Sequence, residues 1–330
     1  MKGKMKTLKW GIAGTGNIAA AFAHDLNLLD EANCSVVGSR SLERAQSFAD
    51  ENNFKKAVGS YEALFGHPEV DIVYVATPHH LHAELTIEAL NNGMHVICEK
   101  PIAINAKQTK AMVEASKKNN RFLMEALWTR FNPIMEQIFE HVSTGEIGDI
   151  RYLFADFAFR SDAPDESRLF NPELGGGALL DVGIYPVFLA YSILGMPNSV
   201  TAKGIRYHTG VDYQSSLIFE YDEAHAVMHS GFASDSKCEA IISGRDGRID
   251  IHPRWHEPRF FTQTNKENGD GKRYEKHPEG RGFTGEIMEC HKCIEQGQIA
   301  SPKWSHQDSI NMMTLLDEIR NQIGVTYPGE

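Results

Sequence analysis

Three short stretches hold the side chains able to move protons. In Gly175-Gly176-Gly177-Ala178-Leu179-Leu180-Asp181-Val182-Gly183-Ile184-Tyr185-Pro186, an acid and a phenol stand four positions apart within an apolar run. Such a spacing puts two side chains on one helical face, although Pro186 favours a helix's first turn over its interior and makes that face conditional. Polar groups buried there need partners, so the pair reads either as groups turned toward a ligand or as a satisfied core pair. Cys98-Glu99-Lys100-Pro101 closes another apolar run. Its charged pair either stands over a ligand or forms a surface ion pair before a turn. Ala76-Thr77-Pro78-His79-His80-Leu81-His82 holds three histidines within four residues. Neighbouring positions at a helix start do not converge on one ion, and no carboxylate or cysteine stands close by, so no metal is expected. Together these groups fit general acid–base chemistry.

A fourth stretch supplies a cofactor. The apolar run Leu8 to Ala13 leads into Gly14-Thr15-Gly16-Asn17-Ile18-Ala19 and then an alanine-rich segment. Strand, glycine turn and helix in that order, with G-x-G-x-x-A, form the dinucleotide-binding fingerprint. Gly14 permits the turn, Gly16 lets backbone approach a pyrophosphate, and Ala19 lets helix and strand pack closely. The free N–H groups that open the helix then face the phosphates. Where an NAD enzyme places its ribose-binding acid, the chain reads Val37-Gly38-Ser39-Arg40-Ser41-Leu42-Glu43-Arg44. Arg40 and Arg44 can meet a 2′-phosphate instead, which points to NADP with NAD as the lesser reading. The alternative for the two arginines is a solvated first helical turn.

These stretches need a scaffold. Apolar runs at Leu8–Ala13, Cys34–Ser39, Asp71–Ala76, His95–Cys98 and Arg121–Met124 alternate with helical patterns near Asn17–Leu29, Leu42–Asn52, Leu81–Asn92 and Asn105–Asn119. That alternation predicts an α/β, doubly wound parallel sheet over residues 1–125. Residues 126–330 read as an α+β domain for substrate binding and dimerisation. It has a helix at Pro133–Ser143, antiparallel strands at Asp149–Phe159, Val200–Tyr207, Tyr213–Tyr221, Ala224–Ser234, Cys238–Ser243 and Gly247–His252, and a helix at Tyr185–Leu194. Lys266–Gly282 is expected to be a flexible loop. A helix is expected near Glu286–Gln296, and a last helix, Gln307–Gln322, is expected to pack back on the first domain.

The 330 residues are 42% hydrophobic and 23% charged, with a net charge of −11, which argues against nucleic-acid or anionic-membrane partners. No apolar stretch is expected to span a bilayer, and the Met-Lys-rich start lacks a signal peptide's apolar core. A cytoplasmic location follows. Five scattered cysteines suggest no disulfide framework. Cys290-His291-Lys292-Cys293 offers one C-x-x-C pair where structural zinc needs four ligands, so these are expected to be ordinary helix positions.

The glycine turn, Thr77-Pro78…His82, Glu99-Lys100-Pro101 and Asp181-x-Gly-x-Tyr185, in this order, resemble the Gfo/Idh/MocA oxidoreductase family. Met124-Glu125-Ala126-Leu127-Trp128-Thr129-Arg130-Phe131 is similar to its branch of trans-dihydrodiol and NADP-dependent D-xylose dehydrogenases. The resemblance implies that Lys100 stands near the nicotinamide and the substrate hydroxyl, often followed by a cis Lys-Pro bond. It implies that Tyr185 is the acid/base and that Asp181 orients substrate. It sets Thr77, Pro78, His82, Glu99, Trp128 and Arg130 on the cofactor side, Arg40 and Arg44 at the 2′-phosphate, and Trp128, Phe157 and Trp255 in the substrate pocket. It also implies a homodimer paired through the antiparallel sheet. Ser161–Pro172 and Lys266–Gly282 depart from the branch, which leaves the substrate open among sugars, cyclic polyols and trans-dihydrodiols. A phenol, with a pKa of about 10, is a weak base at neutral pH, and a nearby ammonium stabilises phenolate. A non-catalytic NADP-binding sensor on the same fold is the alternative.

Overall fold

A computed structural model describes residues 6–265, 269 and 271–330. The chain forms two compact units, Met1–Trp128 with Pro278–Ile310, and Thr129–His277 with Asn311–Glu330. Residues 278–310 therefore return to the first unit, a division that differs from a single boundary near residue 125.

In the first unit, six parallel strands, β1 (Leu8–Ala13), β2 (Ala32–Gly38), β3 (Lys56–Val58), β4 (Ile72–Val75), β5 (His95–Glu99) and β6 (Leu123–Ala126), lie in the order β3-β2-β1-β4-β5-β6. This is the doubly wound order whose ligand crevice opens at the carboxyl ends of the strands, where the chain reverses direction between β1 and β4. Strands β1 and β4 are almost wholly buried, as expected for a parallel sheet covered on both faces. The helices are α1 (Asn17–Leu26), α2 (Leu42–Glu51), α3 (Tyr61–Phe65), α4 (His82–Asn91) and α5 (Ala106–Asn119). Three of them start where the sequence supplies a side-chain cap: Ser41 accepts from Arg44 N–H, Ser60 from Ala63 N–H, and Asn105 from Gln108 N–H. The three-residue β3 and five-residue α3 lie below the length at which periodicity is readable.

The second unit opens with α6 (Pro133–Ser143), capped by Asn132 with proline at its first position. A nine-residue strand β7 (Ile150–Ala158) follows, then α7 (Ile184–Leu194). Next come β8 (Ser199–Arg206), β9 (Asp212–Glu220), β10 (His225–Gly231), β11 (Ala240–Gly244), β12 (Gly247–Ile251), β13 (Phe260–Asn265) and β14 (Lys272–Glu275). The sheet order is β14-β13-β12-β11-β7-β10-β9-β8, antiparallel except for the β7–β10 pair. One face packs against α7. On the other, the registers line up Ile241, Phe154, Val227, Ile218 and Thr201 in one row. Ile218 and Tyr152 on this face are 42% and 39% exposed.

The chain continues through α8 (Thr284–Glu295) in the first unit and α9 (His306–Ile323), whose later part belongs to the second. Gln322 on α9 bonds both Ala202 N–H and the Val200 carbonyl of β8.

Two expectations need correction. Within Lys266–Gly282, residues 266–268 and 270 lie outside the described residues, and Lys272–Glu275 is a strand rather than flexible loop. Its side chains anchor it: Tyr274 stacks on Phe261 at 4.8 Å, and the Arg273 guanidinium lies 3.6 Å from the Phe260 ring centroid. Further, Pro172–Leu194 is long and apolar enough to cross a membrane by length and composition, contrary to the expectation from sequence; 78% of its apolar 18-residue window is buried inside the protein, the placement of a core helix.

Candidate active site

The glycine turn after β1 is built for backbone approach. Gly14 sits at φ 116°, and a Cβ there would stand 2.5 Å from the Ala76 carbonyl oxygen. At Gly16 a Cβ would meet nothing within 4 Å. The α1 N-terminus has no side-chain cap and no acid in its first turn, so neither compensates its positive end. Asn17 and Ile18 are exposed, while Ala19 is fully buried. Beyond β4, Thr77 Oγ1 and His80 Nδ1 are buried without a hydrogen-bond partner. An open glycine cradle beside unsatisfied polar atoms fits a bound dinucleotide.

At the end of β2, Ser39 is buried and its hydroxyl accepts from Ser41 N–H. Arg40 and Arg44 are both exposed. Burial raises the Tyr61 phenol, and the charge of Arg40 partly opposes that. The arginines therefore stand free of the core where α2 begins, and the acid in its first turn, Glu43, is exposed.

His82 is fully buried, with Nε2 2.8 Å from the Thr77 carbonyl and Nδ1 2.8 Å from the Pro101 carbonyl. Burial lowers its pKa to about 4 against the pull of those carbonyls. The neutral ring at pH 7 has one N–H to share between them. It is a brace between the loops after β4 and β5, not a group open to a cofactor as the sequence suggested. Glu99 accepts the Tyr74 O–H and, at 3.1 Å, Lys100 N–H; burial raises its pKa. The Lys100–Pro101 bond is cis.

The sequence reading gave no role to Glu125, which holds the loop after Lys100. Its carboxylate accepts Ile102 N–H at 3.0 Å, Trp304 Nε1–H at 3.0 Å and the Ser309 hydroxyl at 2.7 Å. The signal available was an acid inside a buried strand. Trp128 stacks on Phe283 at 5.1 Å, and Gly282 lies against the same indole.

The second unit holds the other half of the predicted chemistry. Leu179–Gly183 forms a π-helical turn running into α7. Such turns recur at functional sites, and this one lies directly ahead of Pro186. Asp181 and Tyr185 are 7% and 5% exposed. Asp181 Oδ1 pairs with Arg168 Nη1 at 2.9 Å, and Arg168 comes from the Ser161–Pro172 stretch that departs from the branch. Tyr185 belongs to a three-ring cluster: Phe157 lies 5.6 Å from it, His256 lies 5.4 Å from it, and Phe157 stacks on His256 at 4.1 Å. His256 Nδ1 is 3.5 Å from Cys238 Sγ, and Thr129 donates to the His256 carbonyl. Trp255, expected to line the pocket, is fully buried with its indole N–H on the Asp156 carbonyl. The ring that reaches Phe157 and Tyr185 is its neighbour, His256, which the sequence reading passed over. Arg130 lies 4.9 Å from the Phe139 ring centroid, within the second unit.

The structure thus gathers Thr77, His82, Glu99 and Lys100 at one strand edge of the first unit. It gathers Phe157, Asp181 and Tyr185 in the second. Cys290 and Cys293 are buried thiols on α8, and burial raises both. Among the described residues, no group of three or more His, Cys, Asp or Glu could hold a metal ion.

Comparison with known proteins agrees with both halves. Residues 8–127 match the model of an oxidoreductase family with an NAD-binding Rossmann fold, and residues 135–250 match the GFO/IDH/MocA C-terminal domain. The trans-1,2-dihydrobenzene-1,2-diol dehydrogenase of Xenopus tropicalis is 36% identical over 329 residues, taking in 97% of this chain and 99% of that protein. The D-xylose 1-dehydrogenase (NADP(+)) of Hypocrea jecorina is 33% identical over 373 residues, with 99% and 94% covered. Levoglucosan dehydrogenase, solved with NADH and levoglucosan, shares the fold with a TM-score of 0.86 at 21% identity, over 97% of this chain and 98% of its own. With both units matched and relatives of this identity running nearly its full length, the chain belongs to the Gfo/Idh/MocA oxidoreductases.

Proposed function

We propose that this chain is an NADP(H)-dependent dehydrogenase that transfers hydride between the nicotinamide and a CH–OH group of a sugar, cyclic polyol or trans-dihydrodiol. The observation that carries the reading is the Asp181–Tyr185 pair, held at a π-helical turn beside the Phe157 and His256 rings. Whole-length relatives that are dihydrodiol and D-xylose dehydrogenases support it.

The cofactor, when bound, accepts or donates the hydride. Gly14, Gly16, Asn17, Ile18 and the α1 amides hold the pyrophosphate, and Ser39, Arg40 and Arg44 the 2′-phosphate. Thr77, Pro78, Trp128 and Arg130 line the cofactor side. Tyr185 takes the substrate hydroxyl proton at its phenolic oxygen during oxidation and returns it during reduction. The family resemblance gives Lys100 the part of the ammonium that favours such a phenolate. The Asp181 carboxylate accepts a hydrogen bond from a second substrate hydroxyl, which favours vicinal diols, while Phe157 offers a flat face to a ring. A sensor that only binds NADP has no use for such an acid–base set.

The exposed row on the sheet of the second unit, with Phe154, Val227 and Ile218 adjacent, supports pairing of two copies into a homodimer. The five free thiols support a reducing compartment, the cytoplasm.

Absorbance at 340 nm, read with NADP⁺ and NAD⁺ against aldoses, inositols and trans-dihydrodiols, tests the reading. Turnover with NADP⁺ that collapses in Lys100→Met and Tyr185→Phe is the expected outcome. Full turnover in either variant refutes the assigned roles.

A further inference from the structure

The turn that presents Asp181 and Tyr185 is made of the residues least able to keep a shape unaided. Gly175 and Gly177 lie at φ 74° and 116°, and glycine gives up more conformational freedom on ordering than any other residue. Two side chains from distant parts of the second unit grip it. Asp212, the first residue of β9 and fully buried, accepts Leu179 N–H at 2.6 Å. Tyr327, from the segment after α9, is 5% exposed and donates its hydroxyl to the Gly176 carbonyl at 2.6 Å. A Cβ at Gly177 would come within 3.3 Å of the Tyr327 oxygen and closer still to the Asp212 carboxylate. Both polar heads therefore press on the same two or three peptides.

Tyr327 is itself anchored. Its N–H donates to Glu330 at 2.9 Å, and the Arg320 guanidinium lies 4.9 Å from its ring centroid. Arg320 in turn bonds Glu330 through both terminal nitrogens, at 2.8 and 2.7 Å, and Asp317 at 2.7 Å. A bidentate pair of this kind fixes direction as well as distance. The contacts run from α9 through Arg320, Glu330 and Tyr327 to Gly176, three residues before the π-helical turn begins at Leu179.

We propose that Tyr327, with Asp212 beside it, is a positioning residue for the reaction: its hydroxyl fixes the Gly176 peptide and thereby sets where the Asp181 carboxylate and the Tyr185 phenol stand. The proposal rests on the reading of those two side chains as reacting groups. Removing the hydroxyl leaves a buried carbonyl without its donor and releases the glycine turn, while the phenyl ring still fills its site beneath Arg320.

The test is Tyr327→Phe in the full chain, with Asp212→Asn as a second variant that keeps an acceptor for Leu179 N–H. Hydrogen exchange read by mass spectrometry needs no substrate. Faster exchange confined to residues 175–185 in Tyr327→Phe, with Asp212→Asn milder, is expected, and unchanged exchange across that turn overturns the proposal. The second readout is a cycle of Tyr327→Phe with Tyr185→Phe. A kcat loss of about fivefold or more, NADP affinity held, and no further loss when both changes are combined is the non-additivity of residues acting as one unit. An equal fractional loss in both backgrounds overturns the proposal, because general weakening of the fold does not depend on Tyr185. If no substrate turns over in the parent chain, the proposed function fails while exchange still decides the role of Tyr327.

Discussion

Asp212 makes the stability of this protein depend on pH in a direction opposite to that of a salt-bridged acid. Its side chain is fully buried; Oδ2 accepts Leu179 N–H, and Oδ1 has no partner. Burial raises the pKa from 3.8 to about 6, against the backbone amides of Leu179, Asp212 and Ala178 and the charge of Arg320, which favour the anion. The folded state consequently holds the proton more tightly than the unfolded chain. Below the unfolded value both states are protonated and the group contributes no slope. Between about pH 4 and about pH 6 the unfolded chain loses its proton first, so stability falls as pH rises. Above the folded pKa the loss is complete. A shift of about 2 units at about 1.4 kcal/mol per unit gives a cost near 3 kcal/mol at neutral pH.

Asp212→Asn keeps an acceptor for Leu179 N–H and cannot titrate. Urea unfolding of the parent and the variant, followed by far-UV circular dichroism at several pH values from about 4 to about 7.5, isolates the term as the difference between two curves. Other titrating groups cancel in that difference. The parent should lose about 3 kcal/mol relative to the variant across the range, most of it between about pH 4 and about pH 6. Parallel curves would refute the reasoning, because the carboxylate would then be solvated as well in the fold as outside it.

Gly14→Ala sets a Cβ 2.5 Å from the Ala76 carbonyl at a φ of 116°. The obstacle is backbone and cannot rotate away, so a loss of ~2 kcal/mol or more in unfolding free energy is expected, together with loss of NADP quenching of tryptophan emission; an unchanged melting temperature would contradict the tight turn. Replacing Arg40 and Arg44 together by Ser should weaken NADP binding at least tenfold, with NAD binding changed little, because two charge-assisted contacts to a 2′-phosphate are lost. Titration with both cofactors reads this directly, and an equal effect on the two would remove the arginines from cofactor choice.

Where an element is bounded by strong local chemistry, its sequence states its limits. Strand β1 runs from Leu8 to Ala13 as expected because the glycine turn ends it, and α6 starts at Pro133 because Asn132 caps it and proline opens it. Strand β13 and its edge partner β14 escaped notice for the converse reason: Thr262, Gln263 and Thr264, followed by Lys272 and Arg273, carry little apolar alternation. Their stability comes from Tyr274 on Phe261 and Arg273 on Phe260, pairs made only once the hairpin has formed. The π-helical turn at Leu179–Gly183 was hidden by Pro186, which reads locally as a helix start.

At the candidate site, the residues proposed to bear the chemistry were legible in the sequence and the residues holding them were not. Lys100, Asp181 and Tyr185 show themselves as charged or polar groups where apolar runs end or break. Their supports are equally polar and equally buried, but each acts on backbone far away in sequence. Glu125 holds Ile102, and Tyr327 holds Gly176 across 151 residues. His82 ties Thr77 to Pro101, and Asp212 holds Leu179. No local pattern encodes such a partner, because the fold alone brings donor and acceptor together. The cost of leaving a buried polar group unpaired explains why these residues stand where they do. A lone acid or hydroxyl inside an apolar strand, such as Glu125 in Leu123–Ala126, is therefore best taken as a brace whose partner is backbone near the site. Substitution at such a brace changes turnover through geometry, and its kinetic effect vanishes once the group it positions has been removed.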